Sequence, residues 1–385
     1  MSLASRKSFD PIFVLTAIVV AMHVSFGGSR ILLSLYALAL GGTPFLIGMV
    51  VALYALTPMF VSVPAGRMAD RVGHRIPMLY GGIACVLGLG VPFVWPGLPA
   101  LFVSAAIVGA GFSFFNIAAQ AFVGTVSAPE RRAFNFTTLS MGYSMASLIG
   151  PLVVGYCVEY LGPIWAYAIL AAVIVPPTAL LASRNLFPVV VKSATARAEK
   201  HTVLDLLRNR GLLAVFAASG ACVAGWDLFS FFMPIYGTRI GMSASTIGIV
   251  ISAFGVATLV VRIFLPGMTK RHGEPKVLAS AMCVGAAAFA AVPLFEHVAA
   301  LILAAFVMGL GLGCGQPLTM TITYNRSPSG RAGEANGLRQ MANNVTHMII
   351  PLVFGALGSA IGMGPVFWAN SVVLVAGAVV AGKRF

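Results

Sequence analysis

Gly66-Arg67-Met68-Ala69-Asp70-Arg71-Val72-Gly73-His74-Arg75 is a short polar stretch set between two apolar runs, Phe45 to Ala65 and Pro77 to Trp95. Each run is close to the roughly 20 residues that a helix needs to cross a bilayer. The stretch carries four basic residues, counting His74, and one acid. Gly66 and Gly73 let the backbone turn tightly. A basic hairpin joining two membrane-crossing helices sets the class of the chain, and the reading extends outward from it in both directions.

Apolar runs recur at 12–40, 45–65, 77–95, 98–127, 134–158 and 163–183, and again at 211–237, 244–266, 276–294, 298–323, 334–361 and 364–382. These make twelve spans, and in such runs only helices satisfy their own backbone polar groups. The 385 residues are 59% hydrophobic and 9% charged, where a soluble domain is about 25% charged. The chain reads as an all-α polytopic membrane protein. With spans alternating, one side receives Arg6, Lys7, Arg67, Arg71, Arg75, Arg131, Arg132, the basic residues from Arg184 to Arg210, Lys270, Arg271, Lys276, Arg326, Arg331, Arg339, Lys383 and Arg384. The other side receives only Arg239. This asymmetry predicts a multi-pass protein with both termini in the cytoplasm, and the bacterial inner membrane is the expected location. The first span is expected to be retained, not cleaved as a signal peptide.

The net charge of +14 is dispersed over these short loops, so it marks orientation and not a nucleic-acid surface. The five cysteines lie in apolar segments without C-x-x-C spacing and read as small buried hydrophobes; the six histidines form no ligand cluster. No metal or other cofactor is expected. There is no phosphate-binding G-x-x-x-x-G-K-[ST] loop, and no serine nucleophile with a histidine at matched depth, which argues against ATP-driven transport and against a membrane enzyme.

The two halves repeat at an offset of 200 residues: Ile47, Gly48 and Val50 match Ile247, Gly248 and Val250; Gly109 and Gly111 match Gly309 and Gly311; Pro151 and Gly155 match Pro351 and Gly355. Internal duplication marks a transporter built from two related bundles. The opening stretch resembles the signature loop between helices 2 and 3 of the major facilitator superfamily, Gly-x-x-x-Asp-Arg-x-Gly-Arg-Arg, with His74 in place of the first closing arginine. The resemblance covers the whole chain. It implies the superfamily fold of twelve transmembrane helices in two pseudo-symmetric six-helix bundles, residues 1–183 and 211–385, joined by a cytoplasmic linker at 184–210 with a short amphipathic helix from Val203 to Arg208.

The resemblance also assigns roles. Gly66, Asp70, Arg71, Gly73, Arg75 and Arg131 would form a conformational latch, Asp70 facing the start of helix 11 near Gly333. Gly142, Ala146, Gly150, Pro151 and Gly155 in helix 5 resemble the superfamily's antiporter motif and favour export. Small residues at that spacing also let helices approach closely. Two charges lie deep in spans, Arg30 in helix 1 and Asp227 in helix 7, where charge is expensive and usually lines a cavity. By the repeat, Asp227 corresponds to position 27, on the face of Arg30. The pair is expected in the outer half, facing across a central cavity, either as a substrate and proton-coupling site or as an outer gate. Arg262, near an inner helix end, is expected to snorkel. Further polar candidates are Asn116, Gln120, Trp226, Gln316, Asn343 and Asn344, with His347 and Glu159 beside them. The aromatic groups Phe112, Phe114, Phe115 and Trp226, Phe229, Phe231, Phe232 are expected mostly to face lipid or pack.

The expected function is secondary active transport of a small organic solute by a monomer, through proton-coupled efflux of an amphiphilic compound driven by the proton gradient. Uptake of an organic anion or metabolite is the alternative, for which Arg30 is the argument.

Overall fold

The computed structural model describes residues 11–127, 129–182, 203–328 and 332–384. Among the described residues every regular element is helical. Twelve helices are long and apolar enough to cross a membrane. In the first half they are α1 (Pro11–Ala39), α2 (Pro44–Val72), α3 (Arg75–Val94), α4 (Leu98–Val126), α5 (Pro129–Leu161) and α6 (Pro163–Ala182). In the second they are α7 (Arg210–Arg239), α8 (Ala244–His272), α9 (Glu274–Ala291, closed by a 3₁₀ turn at Val292–Leu294), α10, α11 (Ala332–Ile361) and α12 (Met363–Arg384). α10 is broken into Val298–Leu312 and Gly315–Arg326. A short helix, Val203–Arg208, precedes α7. Residues 184–202 of the expected linker lie outside the described residues.

The opening stretch differs from its sequence reading. α2 continues through Asp70 to Val72, so the polar turn shrinks to Gly73 and His74. Gly73 supplies the turn with φ 85°, in the region a side chain disfavours. Gly66 is accommodated inside the helix, where nothing stands within 4 Å of where its Cβ would be. Arg67 and Arg71, four residues apart, share an exposed face at the helix end.

The duplication is legible in the caps and in the packing. Thr43 and Ser243 each cap the following helix by accepting from the backbone N–H three residues on. Gly73 and Gly273 close α2 and α8 with φ 85° and 80°. Gly109 of α4 is set against the Tyr54 backbone of α2, and Gly309 of α10 against the Phe254 backbone of α8. Gly111 meets the Gly81 carbonyl, and Gly311 that of Ala281. All four partners obey the same 200-residue offset, so the repeat is a repeat of close helix–helix approaches.

The two halves meet along three seams: α5 with α8, α2 with α11, and α1 with α7. Call the side holding the end of α6 and the start of α7 the linker face, and the opposite side the far face. Toward the far face the seams are tight. A Cβ on Gly248 would lie 2.5 Å from the Pro151 carbonyl oxygen, and one on Gly155 2.7 Å from that of Ala244. The related seam repeats this, with Gly48 against Pro351 O and Gly355 against Pro44 O. Phe45 N–H donates to Ser359 Oγ (3.1 Å), and Ser245 N–H donates to Glu159 Oε2 (2.8 Å), a carboxylate at a helix N-terminus. By contrast, α4 makes no extended contact with α10 or α11 among the described residues. Close backbone approaches between the halves are thus gathered toward the far face.

Several side chains sit elsewhere than their sequence position suggests. Arg339 is not a loop cation; it is 3% exposed inside α11. Cys283 lies exposed on α9, whereas Cys85, Cys222 and Cys314 are buried. These differences share one cause. The spans are apolar on nearly every side, so the sequence does not say which face turns inward.

Candidate functional site

Arg30 and Asp227 meet directly where α1 crosses α7. Both guanidinium Nη groups donate to Asp227 Oδ1 at 3.1 Å. Asp227 Oδ2 is held by Nδ1 of His347, which α11 brings from the other side. Asp227 is fully buried, and a buried carboxylate stays charged only when it is paired and hydrogen-bonded. Both its oxygens are satisfied here. The group also crosses the seam: Arg30 belongs to the first bundle, Asp227 and His347 to the second.

Local sequence explains the approach. Gly28, one turn of α1 from Arg30's neighbours, is packed against Val154 of α5, where a Cβ would be 2.9 Å from a Val154 methyl. Ser29 Oγ donates to the Phe26 carbonyl and accepts from Tyr54 OH at 3.1 Å, tying α1 to α2 beside the arginine. A small cavity of about 10 Å³ is lined by Arg30, Val51, Ser230 and Phe231. That is room for about one water molecule. The side chains of Arg30 and His347 are nevertheless 18% and 30% exposed, so both are open to solvent where Asp227 is not.

One turn of α1 before Arg30, Phe26 opens an aromatic group of the first bundle. Phe26 stacks on Phe112 with centroids 3.7 Å apart, and the His23 ring lies 4.7 Å from Phe112 and 4.4 Å from Tyr143. Below it Asn116 Oδ1 accepts from Tyr143 OH and from Gln120 Nε2, each at 3.3 Å. Gln120 is exposed. Across from it Trp226 packs edge-on against Phe254 at 4.6 Å, and Gln316 is exposed. Phe115, Phe229, Phe231 and Phe232 are packing residues, all buried.

Not every sequence candidate joins this group. Asn343 is 4% exposed and accepts from Ser219 Oγ at 2.9 Å, inside a network of the second bundle that also takes Arg339 Nη1. Asn344 Oδ1 accepts from Gln340. Arg75 is spent within its own bundle, donating Nε to Leu181 O at 2.6 Å and a second bond to Ala182 O, which caps the end of α6. The side chains of Asp70 and of residues 332–334 lie outside the described residues, so the latch between them does too. Arg71 and Arg131 are exposed. In α5, Gly142 fits against Thr16 and Val20 of α1, and Gly150 against Val24 O, while Gly155 serves the α8 seam; Ala146 is buried between them in the chain. Pro151 lacks the N–H that would bond Ser147 O, and Gly255 of α8 is set against that carbonyl.

One group was missed in the sequence and another was given the wrong role. His23 gave no signal beyond a lone histidine in an apolar run. Arg262 does not snorkel: its Nη1 donates to Ser144 Oγ (2.7 Å), Ser140 Oγ (3.1 Å) and Ser140 O (3.2 Å), joining α8 to α5 across the seam. Bonds to a charged group contribute about 1.5–3 kcal/mol each. Arg262→Met is therefore expected to lower the melting temperature in detergent clearly below wild type, whereas Lys270→Met at the exposed end of the same helix leaves it unchanged.

Comparison with known proteins agrees with this architecture. The family model of the major facilitator superfamily matches residues 14–243 and 215–384. Multidrug resistance protein 1 of Bacillus subtilis (strain 168) is 22% identical over 326 residues, 83% of this chain and 82% of the relative. Multidrug resistance protein MdtG of Salmonella choleraesuis (strain SC-B67) is 22% identical over 336 residues, 85% of this chain and 82% of the relative. Among solved structures, a mutant of the peptide transporter POT superposes with TM-score 0.81 at 18% identity, covering 96% of this chain and 93% of that one. A mutant of the nucleoside transporter NupG gives TM-score 0.82 at 14% identity, covering 98% and 100%. With two matched bundles, twelve spanning helices and an ion-pair group on the seam between them, the chain belongs to the major facilitator superfamily and is a multi-pass membrane transporter, not an enzyme.

Proposed function

We propose that the chain is a proton-coupled exporter of amphiphilic organic compounds, working as a monomer in the bacterial inner membrane with both termini in the cytoplasm. The observation that carries the reading is the fully buried Asp227, held from one bundle by His347 and from the other by Arg30. While Asp227 is charged, the pair ties α1 to α7 and keeps the far face shut. Protonation removes the charge that Arg30 answers, and the tie across the seam weakens. Export over import is supported by the multidrug resistance proteins among the relatives and by the aromatic and amide side chains from Phe26 to Gln120, read as the lining of a central chamber, which suit a molecule with an apolar body and few polar groups.

A second reading, uptake of an organic anion together with protons, is favoured by one feature: Arg30 and His347 place two cation-capable donors beside a single acid. The direction of proton flow separates the two. In proteoliposomes with an imposed proton gradient and ethidium as the probe, the exporter dissipates the gradient as the dye moves against the protons. Co-movement of protons with a carboxylate probe, and indifference to ethidium, would instead establish the second reading.

A further inference from the structure

The acid that this cycle must protonate has no exposed surface. Its two oxygens meet different partners. Arg30 covers Oδ1 with two N–H donors, and a guanidinium has no lone pair with which to take up and relay a proton. His347 Nδ1 covers Oδ2, and an imidazole can carry a proton on either ring nitrogen. His347 is also the most exposed of the three, 30% against 18% for Arg30 and 0% for Asp227. Its Nδ1 edge is taken by Asp227, which leaves the opposite edge with Nε2 as the one free to meet solvent.

The other titratable groups on neighbouring elements have different bonds. Tyr54 of α2 donates to Ser29. His23 of α1 bonds Val19 O with Nδ1 and lies against Phe112 and Tyr143. α10 brings Gly315, next to the buried Cys314, against Cys222 of α7. α8 offers the aromatic Phe254, and α12 the neutral Asn370. None of these bonds Asp227 among the described residues.

We propose that His347 is the port through which Asp227 gains and loses its proton. In the ion-paired state Nδ1–H donates to Asp227 Oδ2 and the Nε2 lone pair faces the chamber. A proton from chamber water adds to Nε2, forming an N–H bond. The Nδ1–H bond then breaks and its proton forms an O–H bond on Oδ2. The imidazole ends neutral with its proton on Nε2, and the carboxyl ends neutral, releasing Arg30. The reverse sequence discharges the proton. This inference rests on Asp227 being the coupling acid, and the experiment separates the two claims.

The measurement is pH-jump infrared spectroscopy on the full-length protein in lipid vesicles, following the carboxylic-acid carbonyl band that Asp227→Asn removes. No transported ligand is needed. His347→Gln and His347→Asn keep a hydrogen-bonding group but cannot shuttle a proton; both are expected to slow the rise of the band at least tenfold, with added imidazole restoring the rate. Arg30→Gln, which leaves the port intact, is expected to protonate no slower than wild type. Wild-type rates in both His347 variants would overturn the port and leave the coupling acid standing. A wild-type protein in which no such band ever appears would overturn the coupling acid, and the port with it.

Discussion

Asp227→Asn is expected to abolish gradient-driven accumulation while leaving the folded transporter in the membrane. The carboxylate is the charge that Arg30 and His347 both answer, and it is wholly buried. An asparagine keeps the size and can still accept one hydrogen bond from Arg30, but it leaves the guanidinium without a counter-charge. Removing one partner of a buried pair typically costs about 3–5 kcal/mol. In the proposed cycle part of that cost falls on one conformation, because the pair crosses the seam between the bundles. A bias of about 3 kcal/mol corresponds to a change of roughly a hundredfold in a two-state population. The expected result is a loss of proton-driven transport of at least that order, with exchange of probe across ungradiented vesicles less affected. An Asp227→Asn protein that still concentrates the probe at the wild-type rate would remove Asp227 from the coupling step. Asp227→Glu tests the geometry in turn: the added methylene must fit a fully buried site in which both carboxylate oxygens already have partners, and proton-driven transport is expected to fall.

The second large effect is steric. Gly248→Val is expected to prevent the far face from closing, because the new Cβ would stand 2.5 Å from the Pro151 carbonyl oxygen and 3.2 Å from Gly155 Cα. Both neighbours are backbone, so no side chain can rotate out of the way. Overpacking of this kind costs about 1–3 kcal/mol. The cores within each bundle are untouched, so the penalty is borne by the closed seam and not by folding. A cysteine placed at Ser230, which lines the small cavity beside Arg30, reports the outcome. On a background lacking the native cysteines, its labelling by a membrane-impermeant thiol reagent from the far side is expected to rise about tenfold or more, and transport to fall in parallel. Gly27→Ala is the control, since nothing stands within 4 Å of that Cβ. Unchanged labelling in Gly248→Val would mean that the seam has slack that these backbone distances do not suggest.

The two predictions draw on different layers of information. Gly248 was visible in the sequence as one member of a matched pair with Gly48, although its closeness to Pro151 was not. Arg30 and Asp227 were visible as charges out of place. Their depth and common face followed from the repeat and from helical spacing. The third member, His347, stood among several polar residues of one helix, with nothing to rank it above Asn343 or Asn344. The structure ranks them by rotating α11 so that His347 meets Asp227 while Asn343 turns inward to Ser219. Arg262 shows the same limit from the other direction. Its position near a helix end is compatible with snorkelling to water, and only the placement of α5 beside α8 gives it Ser140 and Ser144 instead.

By itself, the sequence determined that this protein is twelve membrane-crossing helices in two related sets, because span length and a 200-residue repeat are properties of the chain read in one dimension. Only the tertiary structure decided which polar side chains share a site. In a helix apolar on nearly every side the periodicity that would reveal its inward face is weak, and one residue of rotation, about 100°, moves a side chain from lipid to chamber. The packing of glycines against carbonyls across the seams fixes those rotations, and with them the meeting of Arg30, Asp227 and His347.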